Sequence, residues 1–328
     1  MKTRKLGRTG YRVSEIGFGA WGIGRSMWLG VTDEESRTAL GAALDLGVDF
    51  FDTALAYGDG HSESLIAGVL DARGDRGRVV VATKIPPMDH VWPGREKTPL
   101  ARTFPAKHVT ACVERSLASL RTEAIHIEQL HVWHDAWLCS PDWPETRAAM
   151  ERLTKEGKVL HWGVSINDHA PETALKIASD PIIETLQLIY NIYDRSPERE
   201  LLDLAGRLDT GIIVRVPFDE GALTGAIGRD TVFPDGDWRN RYFRGERRAE
   251  AGRRADALRA LLGEEAATLP ELALRFCLSR TEVSAVIPGM RRPAHAMANA
   301  AAADGGPLSP ALLEKLRAHA WDKNWYSE

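Results

Sequence analysis

The chain has 328 residues, 44% of them hydrophobic, and a formal net charge of −4 at pH 7. Its acidic and basic residues are interspersed, which excludes the strong field of one sign that attracts nucleic acid or an anionic membrane. Its three cysteines lack CxxC spacing and no run approaches the roughly 18 apolar residues of a membrane span, so we expect a cytoplasmic protein.

Short apolar runs alternate along the chain with segments of helical period. These runs are centred near Ile16, Phe50, Val80, Leu130, Val164, Leu186, Ile213 and Val286. Eight strand–helix units predict a closed (β/α)8 TIM barrel, and we expect residues 1–328 to form one such domain. A doubly wound open sheet alternates in the same way. However, the first strand-to-helix turn has its glycines at the wrong spacing for a GxGxxG fingerprint.

Three local signals add detail to this barrel. Residues 4–13, with Gly7 and Gly10 at a turn, predict a small N-terminal β-hairpin that plugs the barrel floor. Thr32 is placed to cap a helix over residues 33–46. Residues 106–120 carry apolar side chains along one face at helical spacing and predict a second helix.

Four polar residues stand at or just beyond successive predicted strand ends: Asp52, Tyr57, Lys84 and His131. In a TIM barrel the carboxyl ends of the strands meet at one face, where the βα loops build the site. Their segments, FFDTALAYG at 50–58 and VVVATK at 79–84, closely resemble the aldo-keto reductase family. The resemblance extends from RKLGRTG at residues 4–10 to IPGMRRP at 287–293 and on to Asn299.

This resemblance implies an oxidoreductase that reduces an aldehyde, ketone or sugar-like carbonyl. Hydride addition leaves negative charge on the carbonyl oxygen, so the site needs a proton donor and hydrogen-bond donors there. Tyr57 is expected to be the general acid, and a Lys84 ammonium eases release of its proton. Asp52 keeps Lys84 charged, and His131 orients the carbonyl.

The cofactor implied by the resemblance is NADP(H), with NAD(H) also possible. The positions that match the family's cofactor site are Ser165, Gln187, Arg215, Pro217, Gly289, Arg291, Arg292, His295 and Asn299. Ser165 and Gln187 are expected to hold the nicotinamide carboxamide. Arg291 or Arg292 is expected to pair with a 2′-phosphate, which favours NADP(H) because a guanidinium suits a phosphate.

Two positions depart from the family pattern. Ile166 stands where an asparagine is common; Asn167, one residue later, points to the other face of a strand and is not expected to substitute. Arg215 stands where an aromatic residue often stacks on the nicotinamide. Its guanidinium can also stack, but it brings a positive charge towards a ring that is cationic when oxidised.

The substrate pocket is expected to be formed by residues 86–105 and 219–247 and by the C-terminal tail at 321–326. Trp21, Trp92 and Trp325 are the candidates for lining it. No metal site is expected, because His131 and His134 are three apart and point to opposite faces of an extended segment.

Two other functions use the same residues. One is a cofactor-binding regulatory or partner subunit on the same scaffold, since a fold does not settle a function. The other is a sugar or alcohol dehydrogenase that runs in the oxidative direction. The physiological substrate, the direction of the reaction and the oligomeric state stay open.

Overall fold

The computed structural model describes residues 1–25 and 27–326 of the chain. Its strands form a two-stranded hairpin followed by a parallel sheet of eight strands within this part. The hairpin consists of β1 (Thr3–Lys5) and β2 (Arg12–Ser14). The sheet consists of β3 (Phe18–Gly19), β4 (Phe50–Asp52), β5 (Val80–Ile85), β6 (Ile125–Leu130), β7 (Val159–Ser165), β8 (Ile183–Ile189), β9 (Gly211–Arg215) and β10 (Val283–Val286).

The eight parallel strands are hydrogen-bonded in chain order, from β3 to β10. Isolated parallel bridges pair Ile16 with Val286 and Gly19 with Gly289, which joins the first strand to the last. The predicted (β/α)8 barrel is therefore confirmed. Strand β3, the first of the parallel sheet, begins at Phe18, slightly later than its predicted centre at Ile16.

The helices lie between the strands and after the last one. They are α1 (Asp33–Asp45), α2 (His61–Arg73), α3 (Leu100–Thr103), α4 (Ala106–Leu120), α5 (Trp143–Lys155), α6 (Leu201–Leu208), α7 (Arg239–Tyr242), α8 (Arg247–Arg259), α9 (Leu269–Leu278), α10 (Pro293–Ala302) and α11 (Pro310–Arg317). In the described residues no helix is long and apolar enough to cross a membrane.

The predicted helix signals are confirmed. Thr32 caps α1 in a capping box: its hydroxyl accepts from the Glu35 amide, and the Glu35 carboxylate accepts from the Thr32 amide at 2.9 Å. Helix α4 has the predicted bounds and buries the predicted apolar face. The connection from β7 to β8 differs from the strand–helix pattern, because it contains two short 3-10 turns, Pro171–Ala174 and Ile177–Ser179.

The hairpin closes the amino-terminal end of the barrel, as predicted. Leu6 and Val13 are fully buried in the barrel interior together with Phe50 and Ile127. A Cβ atom on Gly7, whose φ is +53°, would lie 2.1 Å from the Gly211 amide nitrogen, so the chain needs glycine there.

The barrel interior changes from apolar to polar along the strands. Phe50, Ala82, Ile127 and Ile213 form an apolar layer. Residues two positions further along a strand point to the same side. The next layer towards the carboxyl ends therefore consists of Asp52, Lys84, Gln129 and Arg215. Strand periodicity thus places three candidate site residues, Asp52, Lys84 and Arg215, in one layer at the carboxyl ends of the strands.

Outside the barrel wall, Glu128 is fully buried, and neither of its carboxylate oxygens has a hydrogen-bond partner among the described residues. Burial, reinforced by the nearby Glu63, raises the pKa of Glu128 well above its ordinary value. The folded state therefore binds a proton that the unfolded chain loses above the ordinary glutamate pKa. The contribution of Glu128 to the free energy of unfolding is fully present below the ordinary glutamate pKa. It is lost as the pH rises towards the folded-state pKa.

Glu128→Gln is therefore expected to flatten the dependence of stability on pH. We expect the variant to be more stable than the wild type by roughly 1–3 kcal/mol at pH 8, because the wild-type chain must take up a proton at Glu128 to fold and the amide needs none. Little gain is expected near pH 5. Urea denaturation at the two pH values measures the difference, and exposed Glu123→Gln is the control. An equal shift at both pH values would contradict the assignment.

Candidate active site

The Lys84 ammonium is the centre of the candidate site. It lies at the end of β5 and is fully buried. It donates to the Asp52 carboxylate at 2.5 Å and to the Thr53 carbonyl at 2.6 Å, and its Nζ lies 3.5 Å from the Tyr57 hydroxyl. Three residues from β4 and the loop after it are thus joined to β5 through one nitrogen atom.

Asp52 is also approached by two side-chain amides, from β6 and β8, across the barrel interior. The Gln187 amide donates to Asp52 Oδ2 at 2.6 Å, and the Gln129 amide lies 3.4 Å from the same oxygen. A buried carboxylate needs such partners because it has lost its water. Gln187, expected at the nicotinamide carboxamide, therefore also supports the carboxylate that holds Lys84.

The charges of Asp52 and Lys84 oppose the effects of burial on the pKa values of Lys84 and Tyr57. Burial pulls the pKa of Lys84 down, but the charge of Asp52 and the hydrogen bonds to Asp52 and Tyr57 outweigh it and leave that pKa raised. Lys84 therefore stays an ammonium. Burial raises the pKa of the Tyr57 hydroxyl, and the Lys84 charge opposes that rise. The ammonium acts on Tyr57 in the expected direction, although burial has the larger effect.

His131 packs against the ring of Tyr57. Their ring centroids are 5.7 Å apart, and the Trp92 ring meets the imidazole edge-on at 4.6 Å. Burial, with the positive charges of Lys84 and Arg215, lowers the pKa of His131 well below its ordinary value. The imidazole is therefore neutral and has an N–H group to donate. Its Nδ1 atom has no hydrogen-bond partner among the described residues.

A cavity of about 1480 Å³ opens above this group. The predicted site residues that line it are Trp21, Asp52, Tyr57, Trp92, His131, Ser165, Gln187, Arg215, Pro217, Gly289, Arg291, His295, Asn299 and Trp325. Lys84 lies beneath the cavity and Arg292 lies outside it. Single binding pockets commonly measure about 300–1,000 Å³, so the cavity has room for a dinucleotide together with a small substrate.

The end of the cavity near β10 fits a cofactor. The Asn299 amide nitrogen is buried without a partner among the described residues, and its side chain lines the cavity. Helix α10 begins nearby at Pro293, and no side chain caps its N-terminus. A ligand with hydrogen-bond acceptors and an anionic group would satisfy both features.

The two arginines before α10 point in different directions. Arg291 donates to the Leu29 carbonyl at 2.9 Å and lies over the Trp28 ring at 5.3 Å, so it connects the α10 segment to the loop before α1. The Arg292 side chain is 60% exposed and lies 3.9 Å from the Glu35 carboxylate. Arg292 is therefore freer than Arg291 to meet an anionic ligand.

Asn167, which follows the departing position Ile166, and Arg215, the other departing position, both have clear partners. Asn167 forms hydrogen bonds with the Gly94 amide and carbonyl and with the Trp133 carbonyl. Its amide therefore anchors the residue 86–105 loop. Arg215 donates to the Asp168 carboxylate at 2.7 Å and to the Ile166 carbonyl at 3.0 Å. A carboxylate thus balances the charge of the guanidinium at the cavity wall.

Several cavity residues could not be predicted from the sequence because their partners are distant in the chain. Asp168 pairs with Arg215, and both Arg291 and Arg239 lie over the Trp28 ring. Glu220 lines the cavity and accepts from the Tyr326 hydroxyl, 106 residues later in the chain. Local pattern carries no signal for such pairs. Within residues 1–25 and 27–326, no group of three or more His, Cys, Asp or Glu residues is arranged to hold a metal ion.

The chain is similar in sequence to several known proteins. Aldo-keto reductase YhdN of Bacillus subtilis is 32% identical over 73% of this chain and 69% of its own length. The NADH-specific methylglyoxal reductase of Escherichia coli is 30% identical over 92% of this chain and 93% of its own. A probable voltage-gated potassium channel subunit beta of Arabidopsis thaliana is 30% identical over 96% and 95%.

Solved structures agree with the sequence relatives. The glycerol dehydrogenase AKR11B4 of Gluconobacter oxydans superposes with a TM-score of 0.78 at 26% identity, over 97% of this chain and 94% of that one. The holo form of aldo-keto reductase AKR11C1 from Bacillus halodurans gives a TM-score of 0.74 at 26% identity, over 98% and 96%. The model of the Aldo/keto reductase family matches residues 15–320. The chain therefore belongs to the aldo/keto reductase family.

Proposed function

We propose that this protein is an NADP(H)-dependent oxidoreductase that reduces an aldehyde, ketone or sugar-like carbonyl to the alcohol. The observation that carries the proposal is the Lys84 ammonium, held by Asp52 at 2.5 Å and lying 3.5 Å from the Tyr57 hydroxyl beneath a large cavity. Family membership supports an oxidoreductase. One domain over residues 1–328 and a cytoplasmic location remain parts of the same proposal.

In this proposal each residue acts on the carbonyl oxygen. A bound nicotinamide cofactor supplies the hydride chemistry. Tyr57 gives its proton to the oxygen as negative charge develops, and takes the proton back when an alcohol is oxidised. Lys84 stabilises the tyrosinate that remains. Neutral His131 donates a ring N–H to the same oxygen and orients the carbonyl.

The cofactor would lie along the β7–β10 side of the cavity. Ser165 and Gln187 would hold the carboxamide, and Arg215 and Pro217 would line the nicotinamide end. Gly289, His295 and Asn299 would hold the phosphate and adenine end near the N-terminus of α10. Arg292, with help from Arg291, would meet a 2′-phosphate.

Arg292→Ala is expected to weaken NADPH binding about tenfold, as loss of a charged hydrogen bond does. NADH binding should change little, because NADH has no 2′-phosphate. The nearby Glu35 carboxylate opposes a phosphate, so Arg292 is needed to make this position favourable. Calorimetric titration of both cofactors measures the ratio. The control is Arg317→Ala on α11, and equal losses for NADPH and NADH would contradict the role of Arg292.

The proposal as a whole is tested by turnover. Purified protein is mixed with NADPH or NADH and a panel of aldehydes, ketones and sugar-like carbonyls, and cofactor oxidation is followed. Consumption of NADPH in preference to NADH supports the proposal. Turnover with NADH alone, as the name of the Escherichia coli relative describes for that protein, would overturn the cofactor assignment.

A second candidate function is a cofactor-binding regulatory subunit. It is favoured by the plant relative that is named as a probable channel subunit. Tight cofactor binding without turnover on any carbonyl or alcohol would support this function over the reductase. Turnover only with alcohols and oxidised cofactor would instead support a dehydrogenase that runs in the oxidative direction.

A further inference from the structure

The loop after β9 forms one wall of the cavity in an unfavourable backbone conformation. We call residues 216–221 the β9 loop. Val216, Glu220 and Gly221 line the cavity. Val216, Asp219 and Glu220 have φ angles of +53°, +48° and +58°. Left-handed φ angles are costly for residues other than glycine, most of all for a β-branched one, so other contacts must hold this conformation.

The contacts come from the C-terminal tail, residues 321–326. The Lys323 ammonium donates to the Asp219 carboxylate at 2.8 Å, and both side chains are almost fully buried, at 5% and 1% exposure. The Tyr326 hydroxyl donates to the Glu220 carboxylate. Each strained acidic residue is therefore held by one side chain of the tail.

Lys323 is enclosed on its other sides by aromatic rings. Its Nζ lies 4.6 Å from the Trp325 ring centroid, 4.9 Å from that of Trp321 and 5.4 Å from that of Tyr242. It also donates to the Tyr242 hydroxyl at 3.0 Å. A buried ammonium in such a cage depends on its carboxylate partner, since water cannot replace it.

The tail is anchored independently of the β9 loop. The Trp321 amide donates to the Tyr193 carbonyl at 2.8 Å, and the Asn324 side chain donates to the Asp168 carbonyl at 3.1 Å. Asp168 in turn holds Arg215, the residue directly before the β9 loop. The tail therefore fixes the loop at Asp219 and Glu220 and also contacts the partner of Arg215.

We propose that Lys323 is a positioning residue that holds the β9 loop in the conformation that binds the cofactor. Its role in binding rests on the proposed function, in which this cavity takes a nicotinamide dinucleotide. Lys323 acts through Asp219. Loss of its charge leaves the loop competent for only a fraction of the time, and the apparent affinity falls by that fraction.

Lys323→Met removes the charge and keeps most of the side-chain volume. We expect the Kd for NADPH, measured by calorimetry, to rise about tenfold, whereas kcat at saturating cofactor stays within about twofold because Tyr57, Lys84 and Asp52 are unchanged. Lys323→Arg, which keeps the charge, should recover part of the affinity. The matched control is Lys315→Met, at an exposed position on α11, and it should bind as the wild type does.

Hydrogen exchange without cofactor separates this proposal from the proposed function. In the wild type the Asp219 and Gly221 amides donate to the carbonyls of Val216 and Phe218. Lys323→Met should make these amides exchange about tenfold faster, whether or not the cavity binds NADPH. A folded Lys323→Met protein with unchanged exchange in residues 216–221 would overturn the proposal. So would wild-type NADPH affinity in a variant with lower kcat.

A milder variant covers the case in which Lys323→Met does not fold. Tyr326→Phe keeps the aromatic ring and removes only the hydroxyl that donates to Glu220. It should also raise the Kd for NADPH and speed exchange in the β9 loop. Unchanged values for both would count against the tail as the anchor of the loop.

Discussion

Tyr57→Phe is expected to lower kcat for carbonyl reduction by about 10²–10⁴-fold, the usual effect of losing a general acid. The variant keeps the ring, and so the packing against His131 and Trp21, but it has no proton to give. Affinity for NADPH should stay within about twofold, since the hydroxyl acts on the carbonyl oxygen. Steady-state assays with one good aldehyde, together with a calorimetric titration, measure both quantities.

The control for this change is Tyr11→Phe, the same substitution at the opposite end of the barrel. Tyr11 packs against His126 and His161 near the hairpin, far from the carboxyl ends of the strands. It should turn over as the wild type does. If Tyr57→Phe keeps the wild-type kcat, the proton comes from another group and the assignment of the acid is wrong.

Lys84→Met is expected to affect both turnover and stability. It leaves Asp52 buried without its cation, and breaking a buried pair in this way costs about 3–5 kcal/mol of the free energy of unfolding. It also removes the charge that opposes the raised pKa of Tyr57. Carbonyl reduction should fall at least about 10²-fold. Urea denaturation and steady-state kinetics give the two effects.

The pH dependence of alcohol oxidation gives a separate measure of Lys84. In this direction Tyr57 must be deprotonated to act as the base. Without the ammonium the pKa of Tyr57 rises further, so the residual activity of Lys84→Met should need higher pH than that of the wild type. An unchanged pH profile would show that Lys84 does not act on Tyr57.

The double variant Lys84→Met with Asp52→Asn separates the two effects. It contains neither charge, and the introduced side-chain amide keeps an oxygen that can accept from the Gln187 amide, so most of the lost stability should return. Turnover should stay low because the ammonium is still absent. Recovery of turnover together with stability would mean that Lys84 has only a structural role.

Much of the barrel could be predicted because its signals are local. The period of residues 106–120 gave helix α4 its bounds, and Thr32 with Glu35 marked the start of α1. The carboxyl ends of parallel strands meet at one face, so Asp52, Lys84 and His131 could be expected near one another. The connection between β7 and β8 departs from the pattern, with short 3-10 turns in place of a helix.

The strand–helix order and the residues at the strand ends follow from local patterns in the chain, because periodicity and capping depend on neighbours a few positions apart. The pairs between distant segments could be found only in the folded protein. These include Asp219 with Lys323, Asp168 with Arg215, and the contact of Arg291 with Trp28. Burial and charge balance depend on which side chains the closed barrel brings together, and no local pattern records that.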